Sequence, residues 1–242
     1  MRFGQYEFRP GRYPTLAYLL LLPLLLSLAW WQWQRAMEKE HILHQRARGE
    51  QSTRVQSLNE LAPAALRPYG EVAAHGRFDT DHYWLQDNQL YHGAPGYHAY
   101  ALFWLDGEPG RAVLVNRGWV PVGTDRRLLP DVAIDAPVTA IRGRLGKPAS
   151  VGMTLGDSSA EYRRLTAVVP EIDFARIERI AGARLLPWVV FLEENHPLAF
   201  APVWSRPNVF GPERHRGYAV QWLAMAVALT VIFVAVHLKK KQ

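Results

Sequence analysis

Two stretches without Asp, Glu, Lys or Arg, one near each end of the chain, constrain its fold more than anything between them. Residues 13–34, bounded by Arg12 and Arg35, and residues 217–238, bounded by Arg216 and Lys239, hold 22 residues each. At ~1.5 Å rise per residue such a run makes a helix of roughly 33 Å, against a bilayer hydrocarbon core about 30 Å thick. Each run therefore predicts a membrane-spanning helix. The first ends in "AWWQWQR", with bulky aromatics where a cleavable signal peptide needs small side chains. It reads as a retained anchor.

The expected organisation follows: a cytoplasmic tail over 1–12, a transmembrane helix over 13–34, an extracytoplasmic β-rich domain over 35–216, a second transmembrane helix over 217–238 and a tail over 239–242. Within the central segment, residues 35–66 are polar and rich in Glu, Gln, Arg and Ala, and read as a helical connecting arm.

The formal net charge of +6 would suggest nucleic acid were it not concentrated at the ends. Arg2, Arg9, Arg12 and Lys239–Lys241 flank the spans, where anionic lipid attracts them. The rest of the chain carries 22 basic and 21 acidic residues. A nucleic-acid partner would need a basic face on the folded domain, so membrane lipid is the expected partner and nucleic acid is not. Two spans put both termini on one side. Arg35, Lys39, Arg206, Arg214 and Arg216 also flank the spans from the central segment, but long segments translocate largely regardless of charge. The short basic tails thus favour a cytoplasmic placement of the termini. The chain has no cysteine, which excludes disulfides and thiolate metal sites.

The central segment is long enough, at about 180 residues, for one domain with its own core. Strand-like runs with turn residues between them begin after "RPYG". "EVAAHGRF" and "HYWLQDNQLY" come first. Tyr97–Leu105 and the run from Arg111 to Trp119, joined by "DGEPG", form a hairpin, because the connection is too short for a crossover helix. Val138–Leu145, Arg163–Val169 and "LLPWVVFLEE" continue the pattern. One helix is expected between Pro170 and Gly182, with Ile172, Ala175, Ile177 and Ile180 as its apolar stripe and Gly182 as its stop. The predicted class is an α+β membrane protein, in which two transmembrane helices flank an extracytoplasmic antiparallel β-sheet or small barrel with a short helix.

Three stretches carry candidate functional residues. In "VLVNRGWVP" a β-branched run stops at Asn116, Gly118 permits positive φ, and Pro121 removes a ladder donor. This predicts a strand leaving its sheet at a corner that projects Arg117 and Trp119. There they either pack, with Arg117 on a carboxylate, or bind a partner. "WWQWQRAMEK" ends the first span with an interfacial belt of aromatics and Arg35. Gln32 and Gln34 stand at the span's edge, where polar groups find partners, the neighbouring helix among the candidates.

His215 lies between Arg214 and Arg216 at the start of the second span. Neutral imidazole is a good ligand for metals and haem iron, although a lone interfacial histidine is more often solvated. Tyr218 and Trp222 share its helical face if the helix starts early enough. A flat aromatic ligand with polar substituents suits such a face. His237 reads as interfacial, His41 and His44 form an H-x-x-H pair with no carboxylate ligand placed beside it, and His75, His82, His92 and His98 are scattered over strands. No hydrolase, zincin, phosphate-loop or dinucleotide motif is present.

Together these stretches resemble the surfeit locus protein one (Shy1-like) family of cytochrome c oxidase assembly factors, over nearly the whole chain. A Gly-x-Trp-Gln-x-x-Arg-like signature is matched by Trp31, Gln32, Gln34, Arg35 and Lys39. Asn-Arg-Gly-Trp-Val-Pro is reproduced at Asn116–Pro121. His-x-x-Tyr-Ala-x-x-Trp is matched by His215, Tyr218, Ala219 and Trp222. The chain departs from the pattern at Ala29, where glycine is usual, and at Glu213 and Arg214, where amides are usual. Gly96–Tyr97 fits, without the Thr-Pro that often follows.

The resemblance implies a non-enzymatic assembly role at a bacterial inner membrane, or the mitochondrial one in a eukaryote. Its expected partners are the oxidase catalytic subunit and the haem a synthesis machinery. Haem a would be transient cargo, with His215 as iron ligand, Arg214 and Arg216 on its propionates, and Tyr218 and Trp222 beside it. The alternatives are a membrane-anchored scaffold that holds no haem and a membrane-tethered periplasmic enzyme.

Overall fold

The computed structural model of the chain describes residues 2–3, 6–52, 54–135, 138–148, 166–204 and 211–240. It divides into two compact units, Met1–His44 with Val209–Gln242, and Gln45–Asn208.

Three α-helices follow one another along the chain: α1 (Arg12–Glu50), the short α2 (Phe174–Ala181) and α3 (Pro212–His237). The first unit contains the two apolar ones, α1 and α3, both long and apolar enough to cross a membrane. In α1 the less exposed positions Tyr18, Leu22, Leu25, Ala29, Gln32 and Ala36 recur at alternating spacings of four and three. In α3 the same spacing links His215, Ala219, Trp222, Ala226, Leu229 and Phe233. This is the heptad seam of two packed helices. Ala36 and Ala226 on it are 0% and 2% exposed.

The pair is antiparallel, since Tyr18 Oη meets Thr230 Oγ1 at 3.2 Å whereas Gln32 meets His215. Tyr18 also stacks on Phe233, with centroids 4.3 Å apart. Strand β1 (Arg2–Phe3) pairs with β2 (Tyr6–Phe8), and β2 pairs antiparallel with β10 (Leu238–Lys240), matching Phe8 to Leu238. The two terminal segments are therefore joined by backbone hydrogen bonds at one end of the helix pair.

The second unit is β-rich. Its strands are β3 (Gln56–Ser57), β4 (Glu71–Tyr91), β5 (Ala94–Leu105), β6 (Arg111–Pro121), β7 (Ala140–Gly146), β8 (Thr166–Val169) and β9 (Arg184–Leu192), with α2 between the last two. The predicted hairpin is β5–β6. The two runs expected before it are one 21-residue strand, β4, with irregularities after Phe78 and Gln86. Arg163–Leu165 of the expected later strand lie outside the described residues, as do Arg206 and Lys241.

Pairing continues from β4 through β5, β6, β9 and β7 back to β4, which closes a five-stranded barrel. In chain order this is 1-2-3-5-4-1 with the third and fifth strands parallel. The sheet is thus mixed, not antiparallel throughout: β3 and β8 also pair parallel to β4. Strand β4 serves two neighbours along one edge, β7 through Glu71–His75 and β8 through Tyr83–Gln86. Between them lies Gly76, where a Cβ would overlap the Trp104 carbonyl.

Alternation along β5 explains why its sequence is almost wholly apolar. Ala99, Ala101 and Phe103 enter the barrel core, whereas Tyr100 and Leu102 enter a second core beneath α2 and β8. A strand covered on both faces has no polar side.

The short helix begins later than expected, with Asp173 as N-cap rather than Pro170 and Glu171 at its start. The Asp173 carboxylate accepts from Arg176 N at 3.1 Å, a bond neither of the earlier residues supplies. Gly182, at φ +64°, ends it as expected. Ile172, Ile177 and Ile180 pack on the second core, but Phe174 does so in place of exposed Ala175. Replacing Asp173 by alanine should cost about 1 kcal/mol and speed amide exchange in α2 before the barrel strands, measured on the full chain in detergent.

Helix α1 stops at Glu50, so the helical part of the expected arm ends short of 66; a 3-10 turn at Pro63–Ala65 and β3 occupy the remainder. Gly49 packs so closely on the Pro68 and Tyr69 backbone that a Cβ there would overlap it.

Candidate functional site in the helix pair

Helix α3 begins at Pro212, a residue preorganised for the first helical position, with Gly211 as N-cap. His215 is therefore inside the first turn, and Tyr218 and Trp222 do share its side of the helix. His215 is half-buried against α1, and its Nδ1 is 2.8 Å from Gln32 Oε1. An amide oxygen only accepts, so with this amide orientation Nδ1 carries the proton, and in the neutral imidazole Nε2 keeps its lone pair. A hydrogen bond from the distal nitrogen is what orients and strengthens a histidine ligand. Gln32 thus finds the partner on the neighbouring helix that its place at the span edge predicted.

The flanking arginines differ. Arg216 Nη2 lies 2.7 Å from Glu40 Oε2, an ion pair between α3 and α1. Arg214 is exposed. Tyr218 is 52% exposed and Trp222 half-buried, so both offer aromatic surface on the His215 side of α3, one and two turns further along the helix. Of the first-span signature, only Gln32 is turned to α3. Trp31 and Gln34 are exposed, and Arg35 pairs with Glu38 at 2.8 Å and lies 6.0 Å from the Trp31 ring centroid.

The Asn116–Pro121 stretch lies in the second unit and is a built-in bulge, not a corner. Tyr100 pairs with Asn116 and Ala99 with Gly118, leaving Arg117 as the extra residue. A bulge of this kind re-aims one side chain while the strand continues. All four residues from Asn116 to Trp119 are buried. Gly118, at φ +117°, sits where a Cβ would come within 2.6 Å of the Ala201 carbonyl oxygen. Arg117 binds carbonyls rather than the carboxylate expected for it: Nε donates to Leu198 O at 3.0 Å and Nη1 to Val132 O. Its guanidinium lies 4.6 Å from the Phe200 ring centroid. Burial pushes Arg117 down to about 10, against the opposing influence of Tyr83 and Asp131. Trp119 donates from Nε1 to Gln89 O at 3.0 Å, stacks on Tyr91, and bridges to Ala201 through the backbone. Gly96 is needed beneath it, because a Cβ there would overlap the indole. These residues hold the chain after β9 against the barrel.

Sequence reasoning passed over Glu40, whose sign and place near the end of the first span were the available signal. It also passed over Leu198–Ala201, for which no local pattern exists. His41 and His44 are exposed on α1. Among the described residues, no group of three or more His, Asp or Glu side chains converges as a metal site.

The sequence model described as the SURF1 family matches residues 19–227, most of the chain. No curated protein matches it.

Proposed function

The chain belongs to the SURF1 family of cytochrome c oxidase assembly factors, and from that premise we propose that it carries haem a to the oxidase catalytic subunit, with His215 as the iron ligand. The observation that carries this reading is the Gln32–His215 hydrogen bond, which leaves Nε2 as the free imidazole donor atom. The residues fit the cargo in kind. Tyr218 and Trp222 supply flat apolar surface beside the imidazole, Arg214 supplies a cation for a propionate, and the apolar face of α3 suits a hydrophobic tail. Arg216 would have to exchange Glu40 for a propionate. A single protein ligand suits a carrier that must release what it holds.

The two apolar helices fit a two-pass membrane protein. The reading puts the barrel unit on the extracytoplasmic side of the inner membrane, with the haem a synthesis machinery as donor and the catalytic subunit as acceptor.

Co-expression with haem a biosynthetic enzymes, followed by purification and haem extraction, tests the proposal. The wild-type chain should retain haem a. A His215→Ala chain should insert normally and lose it. Equal haem content in the two would overturn the assignment.

One observation favours a second reading. Gln32–His215 and Glu40–Arg216 both fasten α1 to α3, which is all that a scaffold without haem would require of them. On that reading the purified wild-type chain carries no haem and His215→Ala loosens the helix pair.

A further inference from the structure

The second unit contains a cavity of about 180 Å³ that the helix-pair site does not use. It is lined by Arg46, Tyr69, Tyr91, His98, Lys147 and Trp204, with smaller apolar contributions around them. Its walls are mainly aromatic. Trp204 packs edge-on against Phe191 at 5.2 Å and lies 6.2 Å from Tyr69, centroid to centroid.

Two cations and no carboxylate line this cavity among the described residues. Arg46 lies 4.8 Å from the Trp204 ring centroid, donates to Trp204 O and pairs with Glu50. Lys147 lies 4.1 Å from the Trp188 centroid and donates to Pro187 O at 2.6 Å. These contacts do not exhaust the five N–H donors of a guanidinium or the three of an ammonium.

His98 also lines the cavity and is 9% exposed. Burial pushes its imidazole down to about 4, so it adds no charge there at physiological pH.

We propose that this cavity binds a small aromatic carboxylate, its ring against Trp204 and Tyr91 and its charge toward Arg46 and Lys147. A cavity of roughly 150 Å³ accepts benzene, so the space suits one substituted ring. A hydrated inorganic anion would waste the aromatic walls, and a neutral arene would leave the cations without a partner. This inference is independent of the haem reading.

The test uses the full chain in nanodiscs, with empty nanodiscs as blank, titrated with 4-hydroxybenzoate, benzoate and benzamide and followed by ligand-observed NMR. Saturable binding of the two carboxylates is expected, with benzamide weaker by about tenfold or more. Lys147→Met, at an exposed position, should weaken benzoate binding by a similar factor without affecting folding. Absence of saturable binding, equal binding of benzamide, or unaltered affinity in Lys147→Met would each overturn the proposal.

Discussion

Replacing Arg117 by alanine is expected to remove a large share of the stability of the barrel unit. The side chain is 4% exposed and joins Leu198 O and Val132 O, two carbonyls from segments distant in sequence. Truncation leaves both carbonyls facing a void where a guanidinium had been. Each unpaired buried group costs about 1–3 kcal/mol, and the void adds to it. A total of about 3–5 kcal/mol is then a large share of the roughly 5–15 kcal/mol that holds an ordinary domain. Lysine should not rescue the change, because a single ammonium on a flexible stem cannot replace a planar fork over Phe200. Thermal unfolding of the purified full chain and its protease resistance are the measurements. A melting temperature within about 2 °C of wild type would mean that the Trp119–Ala201 bridge alone retains the segment.

The second large effect is expected at Gln32. Gln32→Leu keeps a side chain of similar size on the helix seam but leaves His215 Nδ1 without its acceptor. The helices should remain paired through Tyr18–Thr230 and Glu40–Arg216. Ligands that lose such a supporting hydrogen bond typically lose about 10–100-fold in metal affinity. Haem a retention should therefore fall steeply while insertion is unaffected. Gln32→Glu preserves the acceptor and should restore retention. Undiminished haem in Gln32→Leu would show that the amide serves only to fasten the helices.

The β5–β6 hairpin was legible because strand, turn and strand are adjacent, and a connection of five residues between Leu105 and Arg111 leaves the chain no other route. The stop of α2 at Gly182 was legible for the same reason. Its start was misplaced because Pro170 and Asp173 both carry helix-start chemistry, and only backbone geometry chooses between them. Asn116–Trp119 announced an interruption of the strand without revealing its kind. Whether the chain turns away or bulges depends on Leu198–Ala201, some 80 residues later, and on the carbonyls found there. His98 looked like one scattered histidine among several, since nothing near it in sequence indicates that a cavity forms beside it.

The order of the residues alone determined two helices fit to cross a bilayer, termini on a common side, a β-rich unit between them, and a histidine and a glutamine at the ends of the two spans. Hydropathy, periodicity and turn chemistry act over a few residues, so they survive in a string of letters. Closure of the barrel through a parallel β6–β9 pair, burial of Arg117 on carbonyls, and the meeting of Gln32 with His215 were decided only by the tertiary structure. Each joins groups far apart along the chain, and such contacts form only when the whole core assembles and selects one register among many.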